Sequence, residues 1–132
     1  MKHKYYIDSH KGLTGPYVLA LIAWYHAWDN VLAWIYLGLH GTYGVLWILK
    51  SRYFGDKNWE RDIGVGMGIT TWVGLSFYWI SPWLIVTGRN HPIAPWMIGV
   101  CIAMYSFGVF LHFASDMQKH LLMQYRGLPV PT

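Results

Sequence analysis

The sequence predicts an all-α fold, a polytopic integral membrane bundle of about four transmembrane helices, on three observations. Charge is nearly absent from two long stretches. Between Gly12 and Leu49 the sole Asp, Glu, Lys or Arg is Asp29, and between Ile63 and Ser115 it is Arg89. Water-facing helices need polar outer faces, so such stretches do not suit an aqueous domain. Each run is also long enough to be cut in two by its single charge and still supply helices near the ~20 residues that cross a bilayer. Third, aromatic residues make up 18% of the chain, with nine Trp and ten Tyr, and many fall near predicted helix ends. That is where amphipathic rings settle at headgroup level.

Three spans follow directly from the apolar runs: 30–49, 63–87 and 95–115. A fourth, 13–28, is short enough to span a thinned bilayer, re-enter, or lie flat. The distribution of Lys and Arg decides, because cytoplasmic loops collect them. With three spans, Lys2, Lys4, Lys11 and Arg89 face Lys50, Arg52, Lys57, Arg61, Lys119 and Arg126 across the membrane, and neither side dominates. With four spans, Arg89 stands by itself on one side and all the others share the opposite side. Four spans are therefore expected, forming a single membrane domain over 1–132 with both termini and the 50–62 loop cytoplasmic, and a cytoplasmic tail at 116–132. The first eleven residues are polar and no small-residue cleavage pattern follows, so no cleaved signal peptide is expected.

Composition excludes several classes. The net charge of +4 comes from one-sided enrichment and suits an anionic inner leaflet, making membrane lipid the expected partner. No basic cluster is interleaved with aromatics in the manner of a nucleic-acid surface. A single cysteine, Cys101, excludes an internal disulfide and any multi-thiolate site, and reads as a small packed residue. No metal site is expected. Gly38, Gly41 and Gly44 recur along one face of the second span, and Gly64 with Gly68 opens the third, as in close helix crossings. Pro82 is expected to bend the third span.

Polar residues at membrane depth are costly and mark candidate sites. His26, His40 and His112 fall in or beside apolar spans. A pair of such histidines could ligate haem, but His40 is placed near mid-membrane and His112 near the cytoplasmic end, so hydrogen-bonded structural roles are expected. The densest polar segment is His112 to His120, where His112, Asp116, Lys119 and His120 share a broad helix face through i,i+3 and i,i+4 spacing. The Arg89-Asn-His-Pro92 segment reads as a turn before a helix.

Two stretches carry a family resemblance. Leu39-His-Gly-Thr-Tyr-Gly44, continuing through Leu46-Trp-Ile-Leu-Lys50 to Asp56-Lys-Asn-Trp-Glu60, is similar to bacterial membrane proteins of the isoprenylcysteine carboxyl methyltransferase and steroid (sterol) reductase superfamily. The segment Phe107 to Lys119 resembles that superfamily's Ala/Ser-Asp-x-Gln-Lys signature. The resemblance spans roughly residues 6–126 and implies a bacterial inner-membrane protein. It also implies that Asp116, Gln118 and Lys119 lie at a cofactor mouth, with S-adenosylmethionine or NADPH as cofactor. In the superfamily the cofactor is enclosed largely by a C-terminal half. This sequence departs from the pattern by reaching Thr132 soon after the signature. The expectation is an N-terminal half that binds a cofactor only when a C-terminal half completes it, and the catalytic residues stay unassigned. The alternative is a non-catalytic accessory subunit of a larger membrane complex, with a second polypeptide as partner.

Overall fold

The computed structural model describes residues 1–55, 57–88 and 92–125, with the side chains of Lys57 and Asn58 left out. Among them the chain is helical, with no strand. Helix α1 runs His3–Trp24, α2 Val31–Phe54, α3 Val65–Thr87 and α4 Pro95–Gln124, with a short 3₁₀ turn at Lys57–Glu60. By length and composition α2, α3 and α4 can each cross a membrane.

Helix α1 begins ten residues before the expected start at 13, and its 22 residues give about 33 Å, also membrane length. Its buried positions, Ile7, His10, Thr14, Val18 and Ile22, follow a three-and-four spacing that forms one helical stripe. It carries Lys4, Asp8 and Lys11, yet it packs against both α2 and α3 with one face, while Tyr5, Leu13, Leu19 and Trp24 on the other are exposed. A helix shielded by its neighbours need not be apolar throughout, which is why a search for apolar runs finds only its second half.

Gly44 sits where α2 crosses α1, and an added Cβ there would strike the Lys11 carbonyl oxygen. Gly68 likewise seats the Tyr6 ring on α3. These two bear out the close-crossing reading of the glycines, whereas Gly38 and Gly64 face open space. Two local departures break the regular ladders. A wide π turn occupies Leu37–Gly41 in α2. A tight 3₁₀ turn occupies Phe77–Trp79 in α3, in the turn before Pro82, whose missing N–H leaves the Tyr78 carbonyl without its helical donor.

The bundle has two unlike ends. At one, Val18 and Ile22 of α1 are fully buried with Ala33 and Val86, against Tyr17, Leu21, Tyr36 and Ile85. Asn30 caps α2 there by accepting from the Ala33 N–H (3.2 Å), while its amide donates to the Ile85 carbonyl of α3 (3.0 Å). At the other end the first residues of α1 pair with the segment after the 3₁₀ turn: His3 N–H donates to Arg61 O (2.9 Å) and Ile63 N–H to Met1 O (3.1 Å). Helix α4 runs parallel to α2, with Tyr105 donating to Leu39 O (3.0 Å) and Asp116 lying beside Lys50. The start of α1 and the end of α4 therefore share one end.

Other expected boundaries shift as well. α2 continues past 49 to Phe54 and α4 past 115 to Gln124, so residues 116–124 are helix rather than tail. Cys101 is exposed on α4 rather than packed inside. Part of the 89–92 turn, Asp56 of the resemblance segment, and the tail beyond Tyr125 lie outside the described residues.

His26 directly follows Tyr25, the C-cap residue of α1. Its φ of 52° is left-handed, its N–H bonds Ala23 O (3.3 Å), and the following Ala27 N–H bonds Ile22 O (2.8 Å). This pair of bonds is a Schellman motif, in which glycine is the usual occupant. Replacing His26 by Gly is expected to stabilise the folded protein by about 1 kcal/mol, read as a higher midpoint of thermal unfolding in detergent. An unchanged or lower midpoint would show that the imidazole does more than end the helix.

Candidate functional site

Polar groups from every helix converge toward the end where α1 begins. α2 brings Lys50, whose side chain is 7% exposed, and α4 brings Asp116, 32% exposed, with Nζ to Oδ2 at 2.5 Å. The ammonium also lies 3.8 Å from the Trp47 ring centroid and 5.8 Å from that of Phe113. His112 Nε2 stands 3.6 Å from the same carboxylate oxygen, one turn back on α4. A buried lysine is tolerated only when its charge is matched and desolvation is offset by nearby polar or π groups. Both conditions hold here.

α1 supplies the facing wall. Asp8 accepts the Trp47 indole N–H (3.1 Å). Lys11 points among three rings, 4.8 Å from the centroid of Tyr78 on α3 and 5.4 and 5.5 Å from Tyr43 and Trp47 on α2. Both lysines thus approach the Trp47 ring. Deeper in the bundle a hydrogen-bonded ladder joins α1 to α3. His3 meets Thr71 Oγ1 (3.0 Å) and His10 meets Ser76 Oγ (3.1 Å). Thr14 shares a hydrogen bond with Tyr78 (2.7 Å) and accepts the Trp79 indole N–H (3.0 Å), and Tyr17 donates to Trp79 O (3.2 Å). His10 is fully buried and stacks on Trp79 at 4.3 Å.

The sequence candidates separate in this arrangement. Asp116 and His112 belong to the cluster, with Lys50, Trp47, Asp8 and Lys11 as unpredicted members. Gln118 and Lys119 are exposed on α4, and His120 is half-buried there. His40 lies in the π turn, stacked on Tyr36 at 3.9 Å and 5.2 Å from Tyr105, whereas His112 lies among Tyr43, Trp47 and Phe113. The two occupy separate surroundings. Among the described residues no three His, Cys, Asp or Glu side chains gather as a metal would require. Asp8 and Lys11 were missed because the first eleven residues read as a polar leader. The periodic signal was there: His3, His10, Thr14 and Tyr17 recur on one helical face.

No family model, curated protein or solved structure matches this chain in comparisons with known proteins.

The cluster is bounded by an exposed ionic clamp. Glu60 accepts from Lys4 (2.7 Å) and from Lys2 (2.9 Å), tying the start of α1 to the 3₁₀ turn. These hydrogen bonds, that from Lys4 foremost, hold the Glu60 carboxyl below its ordinary pKa, while Glu60 raises Lys2 above the usual lysine range. A depressed carboxyl stabilises the fold above its unfolded pKa and loses that contribution as pH falls through the folded value. A raised lysine contributes below its unfolded pKa and loses the contribution as pH rises through the folded one. The clamp is therefore expected to hold from mildly acidic to mildly alkaline pH and to release at the acid edge as Glu60 protonates. Hydrogen exchange of the first turn of α1 checks this. Exchange should rise as the carboxyl titrates, and Glu60→Gln should give the faster exchange already at neutral pH.

Proposed function

We propose that this chain is a non-catalytic helical subunit of a larger membrane assembly, with α1 as its fourth span and both termini cytoplasmic. The observation that carries the reading is the engagement of Asp116. The resemblance sets this carboxylate at a cofactor mouth, yet it is taken up by Lys50 of the same chain, and a cation held at 2.5 Å makes it a tie between α2 and α4. Orientation is supported by Lys2, Lys4, Lys50, Arg52, Arg61 and Lys119, which fall in the helix ends and connections at the end of the bundle where α1 begins. A bacterial inner membrane is the setting the resemblance implies.

A second reading keeps the superfamily's chemistry. The same convergence of Asp8, Lys11, Lys50, His112 and Asp116 is favoured by an N-terminal half that contributes a polar wall to a methyltransferase-like or reductase-like site. In that case the Lys50–Asp116 pair would open to S-adenosylmethionine or NADPH once a second half arrived. Opening the pair would strip the buried Lys50 ammonium of its counter-charge, a cost added to the about 8 kcal/mol that micromolar affinity requires.

Charge reversal separates the two. For a tie, Asp116→Ala leaves Lys50 buried and unmatched and is expected to cost about 2–3 kcal/mol. The double variant Lys50→Asp with Asp116→Lys should recover most of that loss in detergent unfolding. Calorimetry on the same purified proteins should show no micromolar binding of either cofactor. Micromolar binding by the unaltered chain, abolished in the stable double variant, would replace the subunit reading with the enzymatic one.

A further inference from the structure

We propose that the cleft between the first turns of α1 and the last turns of α2 binds the phosphoethanolamine headgroup of a membrane lipid. The inference goes beyond the subunit reading and does not rest on it. The cleft has a volume of about 510 Å³, in the range of ligand sites. It is lined by Lys4, Tyr5, Asp8 and Ser9 of α1 and by Ile48, Ser51 and Arg52 of α2.

Position favours a lipid. α2 is an apolar, membrane-length helix that ends at Phe54, so Arg52 in its last turn stands where headgroups lie. Ile48 is one turn deeper on the same face of α2, so a ligand with its phosphate at Arg52 would pass its acyl chains over apolar side chain. Tyr5, exposed at the rim, suits the same interfacial level.

Charge selects the headgroup. The Lys4 ammonium is matched by Glu60 at 2.7 Å. Arg52 is exposed and has no carboxylate within ion-pair distance among the described residues. Asp8, on the opposite wall, accepts from Trp47 and is likewise not ion-paired with Arg52. Among the described residues the cleft thus presents Arg52 without a carboxylate partner, and the Asp8 carboxylate bonded to Trp47 with Ser51, Lys4 and Lys50 close by. A phosphodiester fits the guanidinium fork, and a carboxylate retains acceptor sites beyond the one Trp47 fills. A primary ammonium can donate to those sites, a quaternary one cannot, and a headgroup bearing only negative charge would leave Asp8 opposed.

The test uses the full chain in mild detergent, stripped of lipid and titrated with phosphatidylethanolamine, phosphatidylcholine and phosphatidylglycerol of identical acyl chains, and with soluble phosphoethanolamine. Native mass spectrometry reads the retained ligand. Phosphatidylethanolamine should be retained most. Arg52→Gln should lower retention of all three lipids by about tenfold. Asp8→Asn, which keeps an acceptor for Trp47, should remove the preference for ethanolamine over choline while leaving phosphate-dependent retention. Unchanged thermal midpoints identify both variants as folded. Equal retention of the three lipids, stronger retention of phosphatidylglycerol, or indifference to Arg52→Gln would overturn the proposal. Binding of soluble phosphoethanolamine as tight as that of the lipid would overturn the lipid assignment.

Discussion

The structure depends on the enclosure of one polar helix. α1 carries His3, Asp8, His10, Lys11, Thr14 and Tyr17 along a length that could cross a bilayer, and each of these groups would be costly if left facing lipid. The flanking helices meet that cost locally. Thr71, Ser76, Tyr78 and Trp79 on α3 answer the histidines, threonine and tyrosine, while Trp47 and Tyr43 on α2 answer Asp8 and Lys11. Because lipid supplies no hydrophobic drive between helices, such bonds and close backbone contacts are what hold the bundle. The crossing at Gly44, pressed on the Lys11 carbonyl, brings the partners within range.

That enclosure explains how much of the fold was legible in the sequence. α3 was read nearly to the residue because it is apolar throughout and bounded by glycine and charge. The close-approach role of Gly44 and Gly68 was legible only in part, since glycines at the same spacing also occur where nothing approaches, as at Gly38 and Gly64. α1 was read only from 13 onward because its first half owes its place to partners distant in sequence, 63 residues away for Ser9 and 66 for His10. Helices α2 and α4 ran longer than expected for a related reason. Lys50 and Asp116 each look like the polar end of a span, but paired with one another they continue inside the bundle. His26, read as a polar residue near a span, directly follows a helix cap, and its place there depends on a backbone angle that composition does not report.

The same logic sets what the polar end can do. A carboxylate inside a membrane bundle can serve as a ligand or as a structural counter-charge, and its partners decide which. Asp116 is met by a buried lysine, which favours the structural use. Asp8, which also bonds Trp47 of the Lys50–Asp116 cluster, and Arg52 line an open cleft.

The central claim, that a polar α1 crosses the membrane inside the bundle, is tested most directly by cysteine labelling at its two ends. With Cys101 replaced by Ser, single cysteines are introduced at Tyr5 and at Asp29, both exposed positions, and probed in sealed vesicles with a membrane-impermeant thiol reagent. The account predicts opposite sides, with position 5 reached from the cytoplasm and position 29 from outside. Labelling of both from one side would contradict it, and would leave α1 as a helix that lies at the surface rather than at the centre.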